Sequence, residues 1–317
     1  MNGDVAMTTL RKWLALFAIL LLAKFLVSLV FAPKMPVPPS VKSATTDLSN
    51  DLLQSDSIQC LIGKTLELKL AACDRVIKAA EGDHQRLAGA LTGRANTYYI
   101  SGKFTEAKAD LKQALTLEPR STDAMMTRSE IAIEEGRYED ALADQNDAIS
   151  IDGETSYFLF ERGLTNYFMR RLDKAAADFA KAQELGAEDI DTLLWHSFCL
   201  SELGQDDQGV LQASLGRLRA KAAADGAKNS ELAFDITLMQ FAIDGQNPER
   251  LVSSAEEIKD QRLQSYELTY IHYIIGHRLM LAGGGDESLR HFQAVVDLGK
   301  ERSPMFMAAK YFLQTVE

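Results

Sequence analysis

Apolar and small residues recur every 34 positions through the middle of this 317-residue chain. Each period holds two runs with apolar residues three or four positions apart, the spacing of amphipathic helices, with a break between the runs. The repeated positions are Gly102 and Gly136, Phe104 and Tyr138, Ala107 and Ala141, and Ala114 and Ala148, followed by Leu172, Ala175 and Ala182. This period predicts stacked helical hairpins with a long concave surface, and therefore a protein that holds another protein.

The same pattern sets the predicted limits of the helical domain, which we place at residues 56–317. Clear repeats occupy residues 88–189, and weaker repeats occupy residues 190–302. Residues 303–317 are predicted to form a capping helix, because an array needs a terminal element that covers its last apolar face.

An apolar stretch of twenty residues near the amino terminus, Trp13–Ala32, predicts a transmembrane helix. Its thirteen Leu, Ile, Phe and Val residues each favour insertion by roughly 0.3 to 0.6 kcal/mol, and the central Lys24 opposes it by about 2.5 to 3.5 kcal/mol. Pro33 directly follows the best cleavage site, so we expect a retained anchor rather than a cleaved signal peptide. The basic residues at its two ends barely discriminate orientation, and a short tail of residues 1–12 inside the cell is the default.

Residues 33–55 separate this segment from the helical domain. Four prolines fall between Pro33 and Pro39, and Ser, Thr and Asp follow without apolar periodicity. This composition predicts a linker whose proline half is extended and semi-rigid.

The side chains of each 34-residue unit resemble those of the tetratricopeptide repeat (TPR) family. Small Ala95 and Ala107 suit close helix packing, Tyr98 and Leu111 suit the space between hairpins, and Pro119 ends a unit. The resemblance implies an all-α fold in which antiparallel helix pairs stack into a right-handed superhelix.

In the TPR family the first helix of each pair lines the concave groove, so the resemblance also implies a binding surface. It places eight residues on or near that wall: Tyr99, Tyr157, Phe160, Tyr167, Phe168, Leu194, Trp195 and Phe198. We expect about half of them to pack in the core. Tyr157, Phe160 and Trp195 are the residues that we expect to contact a protein client, because exposed aromatic side chains are common interface anchors.

Some TPR proteins clamp the terminal carboxylate of a chaperone tail with basic side chains, and this chain departs from that pattern. The corresponding groove positions hold Asp123, Thr127, Glu130 and Glu134. These positions would repel an acidic tail, which argues against a co-chaperone role.

Two of the three cysteines, Cys60 and Cys73, stand on either side of a turn signal, and their spacing permits a disulfide. Two free, half-buried thiols are the alternative. A bridge would place the domain in an oxidising compartment. Cys199 lies between apolar residues and is expected to be a small core residue.

Composition and motifs argue against several other functions. A formal net charge of -11 opposes binding to a nucleic-acid phosphate backbone. His272 and His277 are five residues apart, which on a helix points them about 140° away from each other and excludes a shared metal. No Ser, Cys or Thr has an activating context, so we expect no catalysis, no cofactor, no metal and no small-molecule substrate.

The overall plan of the chain also resembles bacterial envelope TPR adaptor proteins. This resemblance implies a scaffold on the bacterial inner membrane, with a single membrane-spanning segment and a periplasmic helical domain that binds a protein client. The alternative is a domain that faces the cytoplasm and regulates an assembly or signalling complex at the membrane. The state of Cys60 and Cys73 would distinguish the two.

Overall fold

The structure is a computed structural model that describes residues 55–80, 82–224, 230–299 and 303–315. Its internal contacts divide the chain into two units, Met1–Ile58 and Gln59–Glu317. Residues 55–58 of the first unit are helical.

The predicted tail, anchor and nearly all of the predicted linker lie outside the described residues, so those assignments stay predictions. Among the helices that are described, none has the length and apolar character needed to cross a bilayer.

The second unit is built from helices, and its described residues contain no strand. Helical residues 59–62 open it. The helices that follow are α1 (Leu66–Ala79), α2 (His84–Ile100), α3 (Phe104–Leu117), α4 (Thr122–Glu134), α5 (Tyr138–Asp152), α6 (Ser156–Phe168), α7 (Leu172–Glu184), α8 (Ile190–Glu202), α9 (Gln208–Ala224), α10 (Ser230–Asp244), α11 (Pro248–Glu256), α12 (Gln261–Leu281), α13 (Gly285–Leu298) and α14 (Pro304–Thr315). The all-helical, superhelical stack of hairpins predicted from the sequence is confirmed for this part of the chain.

Tight turns close the hairpins at positions 34 residues apart. Gly102, Gly136 and Gly204 have φ values of 77°, 72° and 68°, in the left-handed region that glycine adopts without a steric cost. Position 170 belongs to the same series, but it holds Arg170 with a φ of 57°. A left-handed backbone at a residue other than glycine is strained, and Arg170 offsets this cost through an ion pair with Glu202 (Nη1 to Oε2, 2.6 Å).

Small side chains explain how closely the two helices of a hairpin approach. Ala107, Ala141 and Ala175 are fully buried. The alanines about two turns further along the same face of each helix, Ala114, Ala148 and Ala182, are also fully buried. In the third hairpin, a Cβ atom added to Gly163 would lie 2.7 Å from the Phe179 ring. A larger residue at position 163 would therefore push α6 away from α7.

In three hairpins, α2–α3, α4–α5 and α6–α7, an arginine on the first helix pairs with an aspartate on the second, and this pairing also repeats every 34 residues. In all three hairpins the Nε and Nη2 atoms of the arginine donate to the two carboxylate oxygens, with distances from 2.6 to 3.0 Å. The pairs are Arg94 with Asp110, Arg128 with Asp144, and Arg162 with Asp178. The aspartates are buried, so each one depends on its two-pronged arginine contact.

The caps of the first helices follow the same period. Ser121, Thr155 and Asp189 each accept a hydrogen bond from a backbone N–H in the first turn of α4, α6 and α8. Such caps satisfy donors that a helix terminus leaves unpaired. The hairpins α4–α5 and α6–α7 are therefore each held by one cap, one left-handed turn and one Arg–Asp pair.

A larger core continues from the third hairpin to the carboxyl-terminal helices. Trp195, Tyr167, Tyr273 and Phe292 are among its largest fully buried side chains. On α14, Phe312 stacks on Phe292 of α13 with ring centroids 5.0 Å apart. The helix predicted at the end of the chain is thus present as α14, and it packs on α13.

Candidate protein-binding groove

Five of the eight predicted groove residues are buried in the core. Tyr167, Phe168, Leu194, Trp195 and Phe198 are all at most 5% exposed. They cannot meet a client from these positions, and the prediction of a contact role for Trp195 is wrong. The expectation that about half of the set would pack as core is close to the observed placement.

The distant helix α12 explains this burial. Its Tyr273 ring lies 5.6 Å from the ring of Trp195 and 5.2 Å from that of Phe198, measured between centroids. His277, one turn further along α12, lies 4.5 Å from Phe198. The face of α8 that would have been open in a simple array is therefore covered by α12.

The other three predicted residues remain accessible. Tyr157, at the start of α6, is 47% exposed, and its hydroxyl donates to Glu130 of α4 over 2.8 Å. Phe160 is half-buried against Phe179, and Tyr99 is half-buried against Phe104. Tyr157 and Phe160 share one wall of a cavity, whereas Tyr99 lies apart from it.

Two adjoining cavities lie where α6 and α8 face α10 and α12. The first has a volume of about 610 Å³ and includes Tyr157 and Phe160 in its wall. The second has a volume of about 710 Å³ and is walled by Phe234, Leu263 and Tyr266 among others. Asp189, Asp191 and Asp235 border both. We call the two cavities together the groove.

Carboxylates dominate the electrostatics of the groove and of the helices beside it. Burial raises the pKa of Asp191 to about 6, with further contributions from Asp189 and Asp235, although a hydrogen bond from Tyr270 opposes the rise. Burial and the neighbouring Glu130 and Asp191 raise the pKa of Glu161 to about 8. Burial likewise raises the pKa of Glu130, against the hydrogen bond from Tyr157. Burial therefore favours the protonated form of these carboxyl groups, and at Asp191 and Glu161 the neighbouring carboxylates act in the same direction.

A buried polar cluster fixes α12 onto the repeats. One carboxylate oxygen of Glu202 accepts hydrogen bonds from Tyr167 and from His277, the latter over 3.2 Å. The other oxygen pairs with Arg170. The side chain of Glu202 is only 4% exposed, so this single carboxylate joins α6, α8 and α12. We call Glu202, Tyr167, His277 and Arg170 the Glu202 cluster.

The disulfide predicted between Cys60 and Cys73 is present, with the two sulfurs 2.06 Å apart. It joins helical residues 59–62 to α1. A Cβ atom on Gly93 would lie 2.9 Å from the Cys60 sulfur, so glycine is needed there for α2 to approach the bridge. Cys199 is a buried free thiol, and burial raises its pKa above the ordinary value.

Histidines form no metal centre in the described part of the chain, where no group of three or more His, Cys, Asp or Glu side chains converges. His272 and His291 contact each other through their Nδ1 atoms over 2.9 Å. The pair joins α12 to α13, and burial lowers the pKa of both histidines.

The stacked hairpins and the accessible groove define the class of this molecule: an α-helical repeat protein of the protein-interaction type. The profile of the tetratricopeptide repeat family matches residues 92–156, which span α3, α4 and α5 with part of α2. In this segment the chain is similar to the TPR family. No curated protein sequence matches it.

Solved structures of TPR proteins are similar to the chain. A tetratricopeptide repeat protein from Parabacteroides merdae has 16% identity and a TM-score of 0.49 over 84% of this chain and 97% of that one. PilF of Pseudomonas aeruginosa has 17% identity and a TM-score of 0.46, covering 77% and 96%. YrrB, a TPR protein with an unusual peptide-binding site, has 14% identity and a TM-score of 0.41, covering 75% and 99%. Similarities at this level carry no argument about function.

Proposed function

We propose that this chain is a non-catalytic, membrane-anchored TPR scaffold of the bacterial inner membrane that binds a protein client through the groove. The observation that carries the proposal is the open cavity walled by Tyr157 and Phe160. Tyr157 is 47% exposed at its edge. Accessible aromatic side chains around a concave site of this volume are a typical setting for a peptide or helix of a partner.

The Cys60–Cys73 disulfide supports a periplasmic domain over a cytoplasmic one. Disulfides persist in oxidising compartments and are rare where cellular thiols are kept reduced. The apolar stretch of residues 13–32 supports attachment to the membrane by a retained helix. Both features agree with a short inner tail and an exported domain.

Client capture should depend on the groove aromatics. Replacing Tyr157 and Phe160 with Ala together is expected to weaken capture about tenfold or more, because exposed aromatic anchors supply a large part of the affinity of an interface. The measurement is a crosslinking pull-down from intact membranes, quantified by mass spectrometry. Far-ultraviolet circular dichroism would check that the helices persist.

Ile100→Ala provides the matched control, because Ile100 is 53% exposed but borders neither cavity. It should leave capture unchanged. Equal capture by the control and the Tyr157/Phe160 variant would reject the groove as the binding surface.

The compartment can be tested by counting reactive thiols. In protein taken from cells and denatured without reductant, one cysteine of the three in the sequence should react with maleimide, namely Cys199. After reduction all three should react, because the bridge is then open. Three reactive thiols without reductant, in samples trapped with acid at harvest, would favour the cytoplasmic alternative.

A further inference from the structure

The groove combines apolar walls with a negatively charged border. On one side stand Tyr157 and Phe160, and on the other Phe234, Leu263 and Tyr266. Leu263 and Tyr266 are each 40% exposed. Apolar side chains left open on both walls of a cleft indicate that something other than water fills it.

Acidic side chains outnumber basic ones around this cleft. Among the residues that the structure describes, six acidic ones border the groove and two basic ones do. The acidic residues are Glu188, Asp189, Asp191, Asp235, Asp260 and Glu267, and the basic residues are Lys221 and Arg262. The formal charge of these described residues is therefore -4, from six carboxylates and two cations.

Hydrogen bonds hold three of these acidic side chains at the border of the groove. Asp189 and Asp260 are fixed in place because they cap α8 and α12. Asp191 accepts a hydrogen bond from Tyr270 over 2.7 Å, and this neutral donor leaves the charge of the carboxylate uncompensated. Asp191 borders both cavities, so its carboxylate acts electrostatically on an occupant of either one.

We propose that the groove binds an extended peptide segment of the client in which Lys or Arg side chains alternate with apolar ones. The inference rests on the proposed function and names the chemistry of the partner. Apolar side chains of the segment would fill the space between the two walls, and its cations would meet the shared aspartates. A cation near Tyr157 or Tyr266 gains further attraction from the ring face.

This occupant fits the cleft better than an acidic segment does. An acidic peptide would meet like charges along the whole border, which costs affinity at an interface. A purely apolar peptide would bury the Asp191 carboxylate without supplying a cation, while a basic one supplies it.

The probe for this inference is a fluorescent ten-residue peptide in which Lys alternates with Leu. Its binding to the full-length protein would be measured by anisotropy at two salt concentrations, beside the same peptide with Glu in place of Lys. We expect the Lys peptide to bind at least about tenfold more tightly than the Glu peptide, and its affinity to fall with added salt.

The double variant Asp191→Asn, Asp235→Asn should weaken binding of the Lys peptide about tenfold. It should bind the Glu peptide at least as tightly as the wild type does. The matched control is Asp147→Asn with Asp173→Asn, which removes two charges from exposed positions on α5 and α7. Glu267→Gln is a second groove variant that keeps Asp191 bound to Tyr270, and it should weaken the Lys peptide in the same direction.

Several results would overturn the inference. They are equal loss in the groove and control variants, tighter binding of the Glu peptide, and no binding of either peptide. A change in the mass of the wild-type protein on dilution that the groove variant abolishes would instead show that a second copy fills the cleft.

Failure of this inference is distinguishable from failure of the proposed function. If client capture falls with the Tyr157/Phe160 variant but the Lys peptide does not bind, the groove stands and its charge preference is rejected. If capture is insensitive to that variant, the proposed function itself is rejected.

Discussion

Glu202→Ala is expected to lower the free energy of unfolding by about 3 kcal/mol or more. The carboxylate is almost fully buried and accepts from Tyr167 and His277 while it pairs with Arg170. Its removal leaves His277, itself 2% exposed, without this hydrogen-bond acceptor. Chemical unfolding at neutral pH, followed by circular dichroism, measures the loss.

Glu184→Ala is the matched control for this variant. Glu184 also makes an ion pair, with Lys181, but its side chain is 67% exposed. Exposed pairs of this kind contribute about 1 kcal/mol or less. Similar losses for Glu202→Ala and Glu184→Ala would contradict a structural role for the Glu202 cluster.

The contribution of Glu202 should also disappear in acid. Burial opposes its charged form, but the hydrogen bonds from His277 and Tyr167 and the charge of Arg170 outweigh burial and hold its pKa below the ordinary value. A carboxylate whose pKa is depressed by folding stabilises the folded state above its unfolded pKa, about 4.3. This stabilisation is lost as the pH falls through the folded pKa.

The pH dependence is measured as the difference in unfolding free energy between the wild type and Glu202→Gln. We expect this difference to shrink as the pH falls from 5 to 3. A difference that stays constant over that interval would show that the charge of Glu202 does not stabilise the fold.

The parts of the fold that depend on local sequence could be predicted. Spacings of three and four residues fix an amphipathic helix, and Gly102 and Gly136 mark turns because their left-handed backbone favours glycine. The repeated alanines at positions 107 and 141 are fully buried, as their small size suggested. These features act within a hairpin, where sequence neighbours are also spatial neighbours.

Polar positions carried a further signal that apolar periodicity alone does not use. Arg94, Arg128 and Arg162 are 34 residues apart, and so are the aspartates that they bind. Applying the same 34-residue period to charged residues would have found all three pairs. It would also have marked Arg170 as a turn position that lacks glycine.

The composition of the groove could be predicted only in part, because a distant helix decides which face stays open. Tyr157 and Phe160 lie in the wall of an accessible cavity, and their contact with a client stays a prediction. The opposite wall, with Phe234 and Tyr266, is contributed by α10 and α12. No local pattern in α8 shows that Trp195 packs against Tyr273 of α12, which lies 78 residues later in the sequence.

Trp195→Ala is expected to lower the free energy of unfolding by about 3 to 5 kcal/mol, as truncation of a buried Trp usually does. Trp195 is fully buried and contacts the rings of Tyr167, Phe198 and Tyr273. Its loss would leave a cavity between α8 and α12 that these rings cannot fill without moving.

Tyr157→Ala is the exposed aromatic counterpart and should cost only about 1 kcal/mol, since it removes one partly exposed hydrogen bond and little packing. The two variants thereby separate core from surface within one predicted set of aromatics. The relative size of the two effects should reverse when client capture is measured. Tyr157→Ala is expected to weaken capture, whereas Trp195→Ala, assayed below its unfolding temperature, is expected to retain it. Loss of capture by folded Trp195→Ala with unchanged stability would return Trp195 to the binding surface and contradict the packing described here.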